Sequence, residues 1–298
     1  MPLDACNTLP AEIWRDLATR LLLILLLLAL GLTVALRLLV PWIVQRFVYF
    51  PHRLEEGEAS PETWGLPRAE TVFLEAEDGV RLHGWWLPAP PGIPSRGAAI
   101  YLHGNAGHLA HRAGMGLALS HVGLDVLLID YRGYGLSEGA PDEAGLYRDA
   151  EAAWRYVTST RGVPPGCVLL FGESLGGAVA VELATGVPVG ALVLVAPLPG
   201  TVRIARAHYP LPDFLLDWPD HRFDALSRIG RIEAPILFAH GDEDRVIPRA
   251  EGRLLYQAAS DPKYWYDAQG YGHNDLYDDP GFWRAVDRFV NEDLPAGD

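Results

Sequence analysis

Five apolar residues, Cys167-Val168-Leu169-Leu170-Phe171, run straight into Gly172-Glu173-Ser174-Leu175-Gly176-Gly177 and then into Ala178-Val179-Ala180-Val181-Glu182-Leu183-Ala184. The first stretch has the length and composition of a buried strand, and the last reads as a helix. The turn between them spells Gly-x-Ser-x-Gly, the nucleophile-elbow pattern. Gly172 and Gly176 have no Cβ, so strand and helix can approach closely around a strained serine. Ser174 then projects from the turn, and the N–H of the following residue is free to face an oxyanion. The competing reading is a glycine-rich turn in a nucleotide-binding α/β domain, so the rest of the chain has to decide.

A chain of 298 residues with 49% hydrophobic content has room for one large α/β domain and an appendage. The appendage is N-terminal. Residues 21–36 are uncharged and dense in leucine, Arg37 interrupts them, and residues 38–44 resume the apolar run. Residues 21–40 as a helix cover about 30 Å, the thickness of a bilayer core. Trp42, Tyr49 and several arginines follow, as interfacial anchors do. A cleaved signal peptide would have a shorter apolar region and a more basic start. A buried soluble helix would keep a polar face. The expectation is a single-pass membrane anchor over residues 21–45, after an N-terminal tail of residues 1–20. Arg15 and Arg20 precede it, whereas Arg37, Arg46 and Arg53 lie at or beyond its end, an excess too slight to decide which side of the membrane carries the catalytic domain. The net charge of −14, from 24 basic and 38 acidic residues, argues against nucleic acid and against electrostatic docking on anionic lipid. Cys6 and Cys167 are not expected to pair, so cysteine carries no redox information about the compartment. Nothing in the sequence sets an oligomeric state.

Residues 46–69 are rich in Pro, Glu and Gly and read as a linker. Asp78-Gly79 between two apolar runs marks a hairpin. From residue 98 onward, strands at 98–102, 126–130, 168–171, 192–195, 236–239 and 264–266 alternate with helices at 108–121, 142–160, 178–184, 248–260 and 279–291. The strands are apolar without alternation, as strands covered on both faces are. The spacing predicts an α/β domain over residues 70–298, with a doubly wound, mostly parallel sheet begun by an antiparallel hairpin. The link at 197–234 contains five prolines and the apolar group Tyr209, Phe214, Leu215, Leu216 and Trp218. It reads either as a short apolar cap over the site or as a plain surface connector with one small helix.

A strand–elbow–helix of this kind resembles the α/β-hydrolases, in which nucleophile, acid and histidine follow in that chain order. A serine hydroxyl needs an adjacent base, and the base needs an orienting acid. After Ser174, the strand at 236–239 ends in His240-Gly241-Asp242-Glu243-Asp244-Arg245-Val246-Ile247-Pro248, at the carboxyl edge where ligands bind in open sheets. Asp244 is favoured as the acid because Val-Ile-Pro after it starts the next helix; Asp242 is the rival. His273, in Gly270-Tyr271-Gly272-His273-Asn274-Asp275 after the last strand, is the expected base. The oxyanion donors are expected to be the backbone N–H groups of Leu175 and of Asn105, the latter in the loop His103-Gly104-Asn105-Ala106-Gly107. His103, His108 and His111 lack a carboxylate at ligand spacing, and no His-Glu-x-x-His or paired-cysteine motif exists, so neither a metal nor another cofactor is expected. The turn at 130–139 reads as structural, with Asp130 and Arg132 expected to pair.

The resemblance extends over residues 70–292 and is greatest to the membrane-anchored bud-emergence-46 family. It is carried by Tyr49-Phe50-Pro51 after the apolar segment, His103-Gly104-Asn105-Ala106-Gly107, Asp130-Tyr131-Arg132-Gly133-Tyr134-Gly135 and Gly172-Glu173-Ser174-Leu175-Gly176-Gly177. Arg222-Phe223-Asp224, Pro235-Ile236-Leu237, the 240–248 stretch and Gly272-His273-Asn274-Asp275 match as well. The resemblance implies a Ser-Asp-His hydrolase at a membrane. The leading expectation is hydrolysis of carboxylic esters or thioesters, small-molecule substrates with lipid-like ones among them. A peptidase or amidase on the same machinery is the alternative, and a non-catalytic membrane-tethered binding module the third reading.

Overall fold

The computed structural model describes residues 10–209 and 221–295. The chain divides into two compact units, Met1–Val44 and Gln45–Asp298. Helix α1, Ala11–Val48, starts ten residues earlier than the apolar run. Its first turns are polar but helix-forming, and Arg20 Nε pairs with Asp16 Oδ2 at 2.9 Å, one turn away. Leu21, Leu25, Leu28 and Leu32 are all exposed, as are their apolar neighbours around the helix. The segment Glu12–Leu36 is long and apolar enough to cross a membrane.

The second unit is built on an eight-stranded sheet. Its strands are β2 (Glu70–Glu75), β3 (Arg81–Leu87), β4 (Gly97–Leu102), β6 (Leu124–Ile129), β7 (Val168–Glu173), β8 (Ala191–Val195), β9 (Ile236–Gly241) and β10 (Lys263–Ala268). They lie in the order β10-β9-β8-β7-β4-β6-β3-β2. The pairs β2·β3 and β3·β6 are antiparallel, and the rest are parallel. The helices are α2 (Ala113–His121), α3 (Glu143–Arg155), α4 (Leu175–Gly186), α5 (Thr201–His208), α6 (Arg249–Ala258) and α7 (Pro280–Asp293). The pleat sends alternate strand residues to opposite faces. Val168 and Leu170 therefore join a core with Leu146 of α3, Val179 of α4 and Leu255 of α6. Leu169 and Phe171 join the other core, with Leu119 of α2 and Phe282 and Val286 of α7. Both faces are covered, which is why these strands read as unbroken apolar runs.

Two expectations need correction. Residues 46–69 do not form a free linker. Phe50–Pro51 is a short strand, β1, paired in parallel with Ala106–Gly107, β5. Tyr49, Leu54 and Leu66 are buried. These apolar residues, spaced among Pro, Glu and Gly, attach the segment to the domain, so the boundary lies near residue 45 rather than 70. Asp130 and Arg132 have separate partners. The Arg132 guanidinium is shared between Asp149 (Nη2–Oδ1, 2.8 Å) and Asp78 (Nη1–Oδ2, 2.8 Å). Asp130 accepts from the Leu109 N–H at 2.7 Å and lies 3.1 Å from His83 Nδ1. Two carboxylates converging on Arg132 match its forked donors and leave no vacancy for a third.

Of the expected cap, α5 and residues 221–234 are described. Phe214, Leu215, Leu216 and Trp218 lie outside the described residues. The described helix is tied to the acid loop: His208 Nε2–H donates to Val246 O at 2.9 Å, and Arg203 pairs with Glu251 of α6 at 2.7 Å.

Candidate active site

Ser174 stands between β7 and α4 with φ 53° and ψ −113°, a backbone conformation rare for a residue with a side chain. The surroundings over-determine it. Its N–H donates to Val195 O at 2.9 Å, and its carbonyl accepts from Gly177 at 3.0 Å and Leu198 at 3.0 Å. A Cβ on Gly176 would collide with the carbonyl oxygen of Leu102, so the first turn of α4 rests directly on the end of β4.

His273 enters from the loop after β10, and Asp244 from the loop after β9. Ser174 Oγ lies 3.1 Å from His273 Nε2, and His273 Nδ1 lies 2.7 Å from Asp244 Oδ2. A carboxylate only accepts, so the Nδ1 of His273 carries the proton and its Nε2 is left to accept from the Ser174 hydroxyl. The two loops are laced together. Glu243 N–H donates to Tyr271 O at 3.0 Å, and Gly270 N–H donates to Asp242 Oδ1 at 2.6 Å. Asp242, the rival acid, thus braces the histidine loop, and Asp244 is the carboxylate on the imidazole.

Asp244 is 7% exposed. Its Oδ1 accepts the N–H groups of Val246 (2.8 Å) and Ile247 (2.9 Å). Its Oδ2 faces His273 and also His240 Nε2 at 3.2 Å. Burial opposes ionisation of Asp244, but hydrogen bonds from His240 and His273, the charge of His273 and the Ile247 N–H together hold its carboxyl well below the usual range.

The donor side of the site lies across the serine. Leu175 is the first residue of α4, so its N–H has no intrahelical acceptor. The loop at 103–107 is close by: a Cβ on Gly104 would lie 3.6 Å from Ser174 Cβ. His103 Nδ1–H donates to Gly104 O at 2.6 Å. Because a trans peptide carries C=O and N–H in opposite directions, that bond also sets where the Asn105 N–H points. His103 is 1% exposed, and burial pushes its pKa down to about 4, so the imidazole is neutral.

A family model described as serine aminopeptidase, S33, matches residues 93–210. An uncharacterised protein of Mycobacterium tuberculosis is 38% identical over 258 residues, which cover 85% of this chain and 89% of that one. Alpha/beta hydrolase domain-containing protein 17C of Xenopus tropicalis is 30% identical over 260 residues, covering 81% of each. The chain belongs to the α/β-hydrolase superfamily. Among solved structures, the Pyrococcus furiosus esterase Pf2001 superposes with a TM-score of 0.65 at 20% identity, over 82% of this chain and 99% of that one. An α/β-hydrolase from Vibrio vulnificus superposes at 0.68 with 22% identity, over 85% and 93%. At these identities the likeness is one of fold.

The hydrolase site contains residues that the sequence did not announce. Glu173, beside the nucleophile, forms a forked pair with Arg112 (2.7 and 3.1 Å) and accepts from Tyr101 Oη at 2.8 Å. Burial opposes its charge, but Arg112 and Tyr101 hold the carboxyl below the usual range. The pair ties the elbow to the 3₁₀ turn Leu109–Arg112 that leads into α2. No local pattern links residues 112 and 173, so this pairing had no sequence signal. His240 had one: it stands four residues before Asp244. Its Nε2 donates to Ile247 O at 2.9 Å and reaches Asp244 as well. His108 and His111 stack on each other at 3.8 Å. Among the described residues, no group of three or more His, Cys, Asp or Glu is placed to hold a metal ion.

Proposed function

We propose that this α/β-hydrolase is a membrane-anchored serine hydrolase of carboxylic esters or thioesters, working through Ser174, His273 and Asp244. The observation that carries the reading is the continuous chain Ser174 Oγ–His273 Nε2–Asp244 Oδ2, at 3.1 and 2.7 Å. Ser174 attacks the substrate carbonyl while His273 Nε2 takes its proton, and Asp244 stabilises the imidazolium. The developing oxyanion faces the N–H groups of Leu175 and Asn105. Collapse of the tetrahedral intermediate expels the alkoxide or thiolate, protonated by His273, and leaves an acyl-serine. Water then attacks with His273 as base and frees the acid. The apolar helix α1 supports the anchor, and the motif order supports a kinship with the bud-emergence-46 family within the superfamily. Small acyl esters or thioesters, lipid-like ones among them, are the substrate class.

The test is fluorophosphonate labelling and hydrolysis of a panel of acyl esters by the full-length protein and by Ser174→Ala. Labelling and turnover are expected in the parent and absent in the variant. Equal turnover in both would sink the assignment. A peptidase or amidase is favoured by one observation, the match of residues 93–210 to the serine aminopeptidase model. Matched ester and anilide substrates separate the two: a higher kcat/KM on the anilide would select the peptidase reading.

A further inference from the structure

The loop that bears the Asn105 N–H is held from outside the main sheet. The carbonyl oxygen of Asn105 accepts two hydrogen bonds, from the Phe50 N–H at 2.9 Å and from Tyr134 Oη at 2.8 Å. Both lone pairs are used, which fixes the peptide plane between Asn105 and Ala106. The plane before it is fixed by His103 on Gly104 O. Asn105 is therefore clamped on both sides, and one clamp comes from β1. The next contact repeats the pattern: His52 N–H donates to Gly107 O at 3.3 Å. On its other side the same segment bonds the turn at 130–137. Gly135 N–H donates to His52 O at 2.9 Å, and Leu54 N–H donates to Gly135 O at 3.3 Å. Tyr49 seals the start of the segment: it is 4% exposed, its hydroxyl lies 3.1 Å from His221 Nδ1, and its ring packs edge-on against Phe223.

We infer that residues 49–54, which directly follow the apolar helix, are a positioning element of the active site, holding the oxyanion loop so that the Asn105 N–H faces the acyl carbonyl on Ser174. The inference rests on Asn105 being an oxyanion donor, as proposed above. A chain that began after residue 50 would retain Ser174, His273 and Asp244 and lose the Phe50 bond to Asn105 O.

The experiment uses the full-length protein in detergent micelles with p-nitrophenyl butyrate. Phe50→Pro deletes the N–H, while Phe50→Ala retains it; the Phe50 side chain is 46% exposed, so neither change empties the core. The expected kcat of Phe50→Pro is roughly tenfold below that of Phe50→Ala, with KM within roughly threefold, because a misaimed oxyanion donor weakens the transition state and not substrate binding. Equal kcat values in two variants that both melt cooperatively overturn the inference. Where Phe50→Pro shows no cooperative melting, an amide-to-ester replacement at Phe50 takes its place, removing the same N–H while keeping the side chain and the freedom of the backbone. A several-fold lower kcat at constant KM then supports the clamp, and an unchanged kcat overturns it. Ser174→Ala is assayed alongside. Parental turnover there would sink the hydrolase reading itself, whereas an inactive Ser174→Ala beside equal Phe50→Pro and Phe50→Ala rates sinks the positioning role alone.

Discussion

Asp244 is a buried charge with its hydrogen-bonding capacity filled by two backbone N–H groups and two imidazoles. That arrangement holds its carboxyl well below the usual carboxylate range. Its folded pKa lies below its unfolded one, so the stability it contributes is present above the ordinary carboxylate range and is lost only as pH falls through the depressed value. The acid limb of the activity profile is therefore not set by Asp244. Replacing the carboxylate with an amide leaves the volume intact and removes the charge that orients His273. Asp244→Asn is expected to lower kcat by roughly 10⁴, measured on a short acyl ester with the melting temperature as a control for folding. His103 has the opposite chemistry. It is neutral when buried and takes up a proton on unfolding, because its folded pKa of about 4 is below the ordinary 6.5. Its contribution to stability is complete above pH 6.5 and is lost as pH falls toward 4, costing about 3 kcal/mol over that window. Denaturant unfolding of the parent across this range should show a steeper loss than His103→Gln, which has nothing to titrate. Parallel slopes would remove His103 as the cause.

At the scale of elements, the site depends on how closely α4 approaches β4. The strained Ser174 backbone and the N-terminal N–H of Leu175 are both consequences of that junction. Gly176 is its tightest point, since a side chain there meets the carbonyls of Leu102 and His103. Backbone atoms on both sides cannot yield as a flexible side chain would. Gly176→Ala is expected either to fail to accumulate as folded protein or to lose more than roughly 100-fold in kcat, because the shift displaces Leu175 from the oxyanion. Soluble yield and ester hydrolysis read the two outcomes, and a folded variant of parental activity would show that α4 can be displaced without cost. The remaining elements bring the other groups in by strand adjacency and by the bonds between their loops. β9 and β10 are neighbours in the sheet, so the short loops leaving their carboxyl ends set Asp244 and His273 side by side.

For the whole molecule, the division near residue 45 separates an apolar helix from a hydrolase domain whose own packing starts at Val48 and Tyr49. Two truncations distinguish these parts. Removing residues 1–44 takes away the apolar span and leaves Tyr49, β1 and Leu54 in place. This form is expected to leave the membrane fraction, need no detergent and keep its turnover. Removing residues 1–54 also strips two buried side chains, Tyr49 and Leu54, whose burial contributes about 2 kcal/mol each. The shorter form is expected to melt several degrees lower. Carbonate extraction, differential scanning calorimetry and the sequence of the intact N-terminus check all of this. An N-terminus cleaved in mature protein would identify the apolar segment as a signal sequence instead.

Several features were already determined by the order of residues. The elbow, the apolar span and each single strand or helix are local signals, legible within about ten to twenty residues because composition and spacing along one element report that element's own surroundings, and the succession of Ser174, Asp244 and His273 is the order of such signals. Other features exist only in the folded chain. Ser174 and His273 are 99 residues apart, and the strand order that makes them neighbours is a property of non-local pairing. Whether Asp242 or Asp244 faces the imidazole was a question of loop direction, decided by the Gly270 N–H taking Asp242. The partner of Glu173 was likewise open, and the expected pairing of Asp130 with Arg132 was overturned, since any of several opposite charges would have satisfied the sequence. The clamp of residues 49–54 on Asn105 was the least visible of all. It is made by main-chain N–H and C=O groups, which every residue but proline carries in full, so no residue type could mark it.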